Sequence, residues 1–506
     1  MSQLKKLAGQ TAVYGISSIL GRVLNYMLVP LYSRVFLPAE AAVYVEMYAY
    51  IAFFFVILTY GFETAFFRFS ETHEPRNQVY STAFWSIVVT TLVFASATLL
   101  NTRNLAAFLR YEDHPEYFVY FILIISLDAI TAIPFAKLRS ENKALRFAII
   151  RLINILINIV LNIVLIIVLP HLFKTLGNPA VHNALSFITD GKPNVSSIFI
   201  ANLVASFVSA LLLLPVMIKS GFHFNVKLWK PMFFYAFPLL IFGLAGIVNE
   251  TIDRVLLKYL LPPDVAMHNL GIYGMCYKIA IFIAIFIQAF RYAAEPFFFS
   301  QAKEKNAPET YAAVMNYFVL TCITISLAIM LYIEVFKYFV GSNYYEGLRI
   351  VPILLVSHVF LGVFYNLSVW YKLSGRTKFG AYISLAGAII TIGLNLLLIP
   401  VVGYMGSAWA NFACYLFMMI VSYFLGQKYY PIPYNLKKTG MYFLISMLFF
   451  TISQVINPSQ PALNLLFNTI LMGAFITFVM RSEPVLLNIL KSPLKRFSKK
   501  SNTGNP

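Results

Sequence analysis

Eleven ionisable side chains sit inside long apolar runs of this chain, where charge is costly. Five are basic (Arg22, Arg151, Arg254, Lys278 and Arg291) and six are acidic (Glu46, Glu63, Asp128, Glu250, Asp253 and Glu295). At mid-membrane each costs about 2.5–3.5 kcal/mol on insertion scales, so such groups face an aqueous cavity or one another. Glu250 with Arg254, and Arg291 with Glu295, are spaced i,i+4 in a helix and could neutralise each other as structural pairs. Arg22 has no acid on its own helix, which makes it the leading candidate for a cavity cation. Asp128 is also unpaired locally, and both an interhelical salt bridge and a functional acid remain open for it. Arg151 lies close enough to its helix end to snorkel and receives no role. No enzymatic constellation accompanies these charges. The seven histidines are scattered without metal-ligand spacing, and neither a phosphate-cradling glycine loop nor a nucleophile elbow occurs. Cys276, Cys322 and Cys414 fall in apolar segments and read as packing residues.

The elements that must position these charges are membrane helices. Of 506 residues, 60% are hydrophobic and only 11% charged, with a mean hydropathy of +0.76. Soluble domains carry about 25% charged residues, and a membrane helix needs roughly 20 mostly apolar ones. Fourteen such spans can be counted, from 9–36 to 462–480. The first lacks a cleavage-site pattern and reads as a retained helix. The net charge of +18 is mostly topological. With the N-terminus placed inside, 25 of the 38 Lys and Arg fall on that side and eight on the other. This asymmetry predicts that both termini are cytoplasmic and removes nucleic acid as a partner.

An internal repeat sets the expected architecture. LNIVLIIVLP (161–170) returns as LNLLLIP (394–400), IFIAN ending at Asn202 as SAWAN ending at Asn411, and Asn225-Val-Lys as Asn435-Leu-Lys. Upstream, FLPAEAAVYVEMY (36–48) resembles LLPPDVAMHNLGIYGMCY (260–277), pairing Tyr44 with Tyr273. The expected fold is an all-α polytopic membrane protein of fourteen transmembrane helices. It comprises an N-terminal lobe at 1–225, a C-terminal lobe at 226–430, two extra helices at 431–482 and a basic cytoplasmic tail at 483–506. Six spans per lobe give parallel repeats about an axis along the membrane normal, the arrangement of a central cavity with alternating access. Asn154, Asn158 and Asn162 make a polar stripe suited to interhelical hydrogen bonds. Pro30, Pro134, Pro215, Pro238, Pro296 and Pro352 lie within spans and should kink them.

TAVYGISSILGRVLNYMLVPLYSRVF (11–36), GFETAFFRF (61–69), LDAITAIPFAKLRSENKALRFAIIRLINI (127–155), IDRVLLKYLLPPD (252–264) and GIYGMCYKIA (271–280) resemble bacterial polysaccharide flippases. These belong to the multidrug/oligosaccharidyl-lipid/polysaccharide exporter superfamily, and the resemblance runs along essentially the whole chain. It implies a multi-pass protein of the bacterial inner membrane that moves an undecaprenyl-pyrophosphate-linked oligosaccharide to the outer leaflet by alternating access. Arg22 matches the basic position of the first span in such flippases, and Asp253-Arg254 matches their aspartate-arginine pair in the seventh. Lys278 and Arg291 join Arg22 and Arg254 as pyrophosphate ligands on the ground of depth alone. Asp253, Glu250, Glu295, Asp128 and Glu63 are the expected cavity or coupling acids. No cofactor or metal is expected, with coupling to H+ or Na+ left open. Membrane lipids, a polysaccharide polymerase and a chain-length regulator are the implied partners. A cation-coupled drug antiporter of the same fold is the alternative. A membrane glycosyltransferase or polymerase is more distant, because the large catalytic loop is missing.

Overall fold

Wherever the described chain runs apolar for some twenty residues it is helical, because a backbone in hydrocarbon must satisfy its own hydrogen bonds. The computed structural model describes residues 19–175, 191–219, 221, 223–302, 304–456 and 458–484, and no strand occurs among them. Residues 19–26 form α1, followed by α2 (Val29–Val35), α3 (Pro38–Thr59), α4 (Phe62–Thr72), α5 (Arg76–Leu100), α6 (Glu116–Ser140), α7 (Ala144–Ile163) and α8 (Ser196–Ile218). Then come α9 (Val226–Leu260), α10 (Pro263–Gln301), α11 (Ala307–Leu331), α12 (Val351–Leu367), α13 (Lys378–Val402), α14 (Tyr404–Tyr429), α15 (Leu436–Ile456) and α16 (Pro461–Ser482).

Thirteen helices among the described residues are long and apolar enough to cross a membrane. The chain is a multi-pass membrane protein. The first expected span, 9–36, is described only from residue 19, so thirteen of the fourteen expected spans are seen among the described residues. Most of the tail at 483–506 lies outside the described residues.

Helix contacts repeat themselves in the two halves. In the first, α8 packs on α6 and α7; in the second, α14 packs on α12 and α13. The repeated asparagines also play matching parts. Asn225 caps α9 by accepting from the Lys227 and Leu228 N–H groups, and Asn435 accepts from Lys438 N–H at the start of α15. Asn162 donates to the Asn158 carbonyl at 2.7 Å, as Asn395 does to the Thr391 carbonyl. The halves meet where α3 packs against α9 and α10, while α15 attaches to α11.

Two expected kinks are helix starts instead. Pro30 and Pro352 occupy the first turns of α2 and α12, where a missing N–H leaves no bond unmade. Pro134, Pro215 and Pro238 do lie inside helices. The 38–72 span breaks in two at Tyr60 and Gly61, both left-handed, with φ of 32° and 74°. Glycine adopts that conformation without steric cost.

Candidate functional site

A cavity of about 660 Å³ lies between the two halves. Arg22 and Asn25 of α1, Glu63 of α4, Asp128 and Arg139 of α6, and Arg151 and Asn154 of α7 supply its polar wall. Ile247 of α9 with Gln288 and Tyr292 of α10 face them from the other half. Arg139 is ion-paired with Glu63. Asp128 accepts a hydrogen bond from Ser206 Oγ at 2.8 Å. Arg22 makes no hydrogen bond or ion pair among the described residues, and Arg151 forms no ion pair among them. The Arg151 guanidinium lies 4.1 Å from the Phe135 ring centroid, with Asp128 as its acidic neighbour. Three arginines thus share the chamber with two carboxylates, which leaves it cationic.

Two of those arginines escape a reading of the sequence. Arg151, given no role above, lines the chamber: it stands about two turns inside α7, and the rings of Phe135 and Phe147 flank it in the wall. Arg139 follows the apolar run and so reads as a loop residue, yet α6 continues to Ser140 and turns it toward Glu63. The asparagine stripe does bond between helices: Asn154 to Ser209 at 2.9 Å, Asn158 to Asn25 at 3.3 Å, and Tyr32 to Asn162 at 2.8 Å.

The remaining sequence candidates form two further groups outside the residues that line this chamber. On α9 and α10, Asp253 accepts from the Tyr273 hydroxyl, and Arg254 lies 4.0 Å from Asp253 Oδ1. Arg254 donates to the Glu250 carbonyl at 2.7 Å rather than to its carboxylate, so the expected i,i+4 ion pair does not form. The Arg254 guanidinium also lies 4.5 Å from the Tyr277 ring, and Lys278 Nζ lies 5.6 Å from the Tyr26 ring. Farther along α10, Glu295 pairs with Lys372 at 2.6 Å instead of with Arg291, whose guanidinium stacks 3.9 Å from the Tyr365 ring. In both cases a partner other than the side chain one turn away wins the contact.

A fourth constellation joins Glu46, one of the six acids in the apolar runs, to a lysine outside the eleven charges singled out in the sequence. Lys258, at the end of α9, and Glu46, in α3, are fully buried and 2.9 Å apart. Tyr50 and Tyr111 both donate to the Glu46 carboxylate, while Lys258 also donates to the Leu109 carbonyl at 2.7 Å. Close contacts between the halves surround this end. A Cβ at Gly271 would fall 1.8 Å from the Pro38 carbonyl oxygen, and Gly341 N–H donates to Ser33 Oγ at 2.9 Å. Tyr344 donates to the Phe36 carbonyl at 2.8 Å. We refer to this as the clamped end. The other end, which carries the loops at 137–146 and 219–231, is the basic end.

The chamber's net cationic lining suits an anionic group, and comparison with known proteins gives this geometry a context. Residues 7–301 match the model of a family described as polysaccharide biosynthesis protein. The chain belongs to that family. Its fold is similar to that of a solved structure of the lipid II flippase MurJ in an inward closed conformation, with a TM-score of 0.71 at 14% identity. That match covers 93% of this chain and 99% of the flippase. A multidrug resistance MATE family transporter of the MOP superfamily, inward-facing, follows with a TM-score of 0.57 at 12% identity over 83% of this chain and 94% of that one. A mutant of the Vibrio cholerae MATE transporter VcmN gives 0.56 at 12% identity over 84% and 97%. None of the curated protein sequences matches the chain. This member of the polysaccharide biosynthesis family therefore shares its fold with the MurJ flippase and the MATE transporters.

Proposed function

We propose that this protein flips an undecaprenyl-pyrophosphate-linked oligosaccharide from the cytoplasmic to the outer leaflet of the bacterial inner membrane by alternating access. The observation that carries the reading is the pair Arg22 and Arg151, two guanidinium groups without ion-pair partners among the described residues in one chamber. A pyrophosphate offers several oxygens to such forks, and desolvation strengthens each charge-assisted bond. Glu63 holds Arg139 back as a third cation. Arg254 and Lys278 would receive the phosphates nearer the clamped end later in the cycle. Arg291 would meet them at the basic end. Asp128, Asp253, Glu250 and Glu295 are candidate acids for coupling to H+ or Na+. The basic end faces the cytoplasm in this reading, together with both termini, and a polymerase and a chain-length regulator would act on the delivered product.

The test is flipping of a lipid-linked oligosaccharide in proteoliposomes, with expression and thermal stability measured in parallel. Arg22→Lys should keep the fold and weaken transport, because lysine offers only a point charge. Arg22→Ala should nearly abolish transport. Normal transport by Arg22→Ala would leave a structural role for this residue and remove it as a phosphate ligand.

A further inference from the structure

Helices α3 and α9 separate two cavities of opposite character. Ala52 and Phe55 of α3 and Ile247 of α9 face the cationic chamber. Their neighbours Phe53 and Phe54 of α3, and Val248 of α9, instead line a second crevice of about 380 Å³ with α5 and α6. Phe54 packs against Phe94 of α5 and Phe121 of α6, with ring centroids 5.4 and 5.8 Å apart. Among the described residues, no side-chain donor in the crevice wall is left unbonded. Thr98 Oγ1 donates to the Phe94 carbonyl, Thr251 Oγ1 to the Ile247 carbonyl, and the Tyr50 hydroxyl to Glu46. A wall this apolar, whose hydroxyls already donate internally, replaces little of the hydration of a sugar or phosphate and suits a hydrocarbon chain.

The crevice also adjoins the clamp. Tyr50 and Leu109 line it, and the same two residues hold Glu46 and Lys258 through a hydroxyl and a carbonyl. Parting α3 from α9 would therefore break the clamp and join the chamber to the crevice in one movement. A head group in the chamber and a chain in the crevice would then stay connected through the seam.

We propose that this crevice holds the isoprenoid chain of the lipid-linked substrate, and that the α3–α9 seam is the lateral exit through which the chain passes when the clamp releases. The assignment rests on the flippase reading above. Planar alkene units along such a chain suit flat phenylalanine faces, and an aromatic wall offers large, rigid contact area.

The experiment is photo-cross-linking of the full chain in proteoliposomes, mapped by peptide mass spectrometry. One probe is a diazirine-bearing polyprenyl diphosphate and the other a diazirine-bearing phosphatidylglycerol. The polyprenyl probe is expected to label segments 49–54 and 94–98. Saturating unlabelled polyprenyl diphosphate should suppress that labelling about tenfold, while extra phosphatidylglycerol should not. Equal labelling by the phospholipid probe, unaffected by polyprenyl diphosphate, would assign the crevice to bulk lipid and overturn the proposal. Polyprenyl labelling confined to the chamber or to other helices would overturn it while leaving the flippase reading intact. No labelling anywhere, with no flipping, would remove both. Thr98→Phe and Val255→Phe, which fill the crevice, should each lower the labelling of 49–54 and slow flipping of the full-length carrier. They should spare a carrier of about three isoprene units, too short to depend on the wall. Equal loss for both chain lengths would point to a packing defect and count against the assignment.

Discussion

Lys258 and Glu46, 212 residues apart in sequence, form a fully buried ion pair with 2.9 Å between Nζ and Oε2, and it ties the end of α9 to α3. Removing one partner strands the other charge, which typically costs about 3–5 kcal/mol, whereas replacing both with apolar residues is often neutral. Glu46→Gln should therefore lower the thermal unfolding temperature of the purified protein markedly, and the double variant Glu46→Leu with Lys258→Met should recover part of the loss, the Tyr111 hydroxyl and the Leu109 carbonyl then lacking their partners. A single variant as stable as the native chain would show that water or another group reaches Lys258.

Arg151 should matter as much as Arg22. It lines the same chamber and has no ion-pair partner among the described residues, so Arg151→Ala should weaken binding of a polyprenyl diphosphate by about tenfold or more, as loss of a charged hydrogen bond does. Equilibrium binding to the detergent-solubilised protein measures this directly. Additivity in the double variant with Arg22→Ala would mean the two bind separate groups; coupling would mean they share one pyrophosphate.

Orientation can be read with little background. Cys276, Cys322 and Cys414 are all buried, so an introduced surface cysteine is the chief target for a membrane-impermeant maleimide. Ser140→Cys, at the exposed end of α6, should be labelled only after the cells are opened. Labelling in intact cells would reverse the proposed topology.

Glu483 gives a pH signature outside the spans. Burial raises its pKa, but hydrogen bonds from Lys438, Asn316 and Tyr442, together with the Lys438 charge, outweigh burial and hold the carboxyl below its usual value. A depressed folded pKa stabilises above the unfolded value and fades as pH falls through the folded one. Glu483→Gln should therefore lower thermal stability at pH 7 and converge with the native chain in acid, once both carry neutral side chains. A constant difference across pH would remove the charge from the explanation.

Sequence alone determined the helices, because about twenty apolar residues in a row leave a membrane-embedded backbone no other way to satisfy its hydrogen bonds. The match of Asn225 with Asn435 was legible as a repeat, and the structure gives both a capping role at a helix start. The cationic chamber was legible only in part. Arg22 stood out because its own helix offers no acid, a local property. Arg139 and Arg151 did not, since facing a cavity depends on which helix lies opposite. Local spacing also misled where other partners intervened: Glu295 took Lys372 rather than Arg291, and Arg254 took a carbonyl rather than the Glu250 carboxylate. Only the tertiary structure could pair Glu46 with Lys258. A buried charge accepts whichever counter-charge the packing brings within hydrogen-bond reach, and sequence periodicity constrains only neighbours on the same helix.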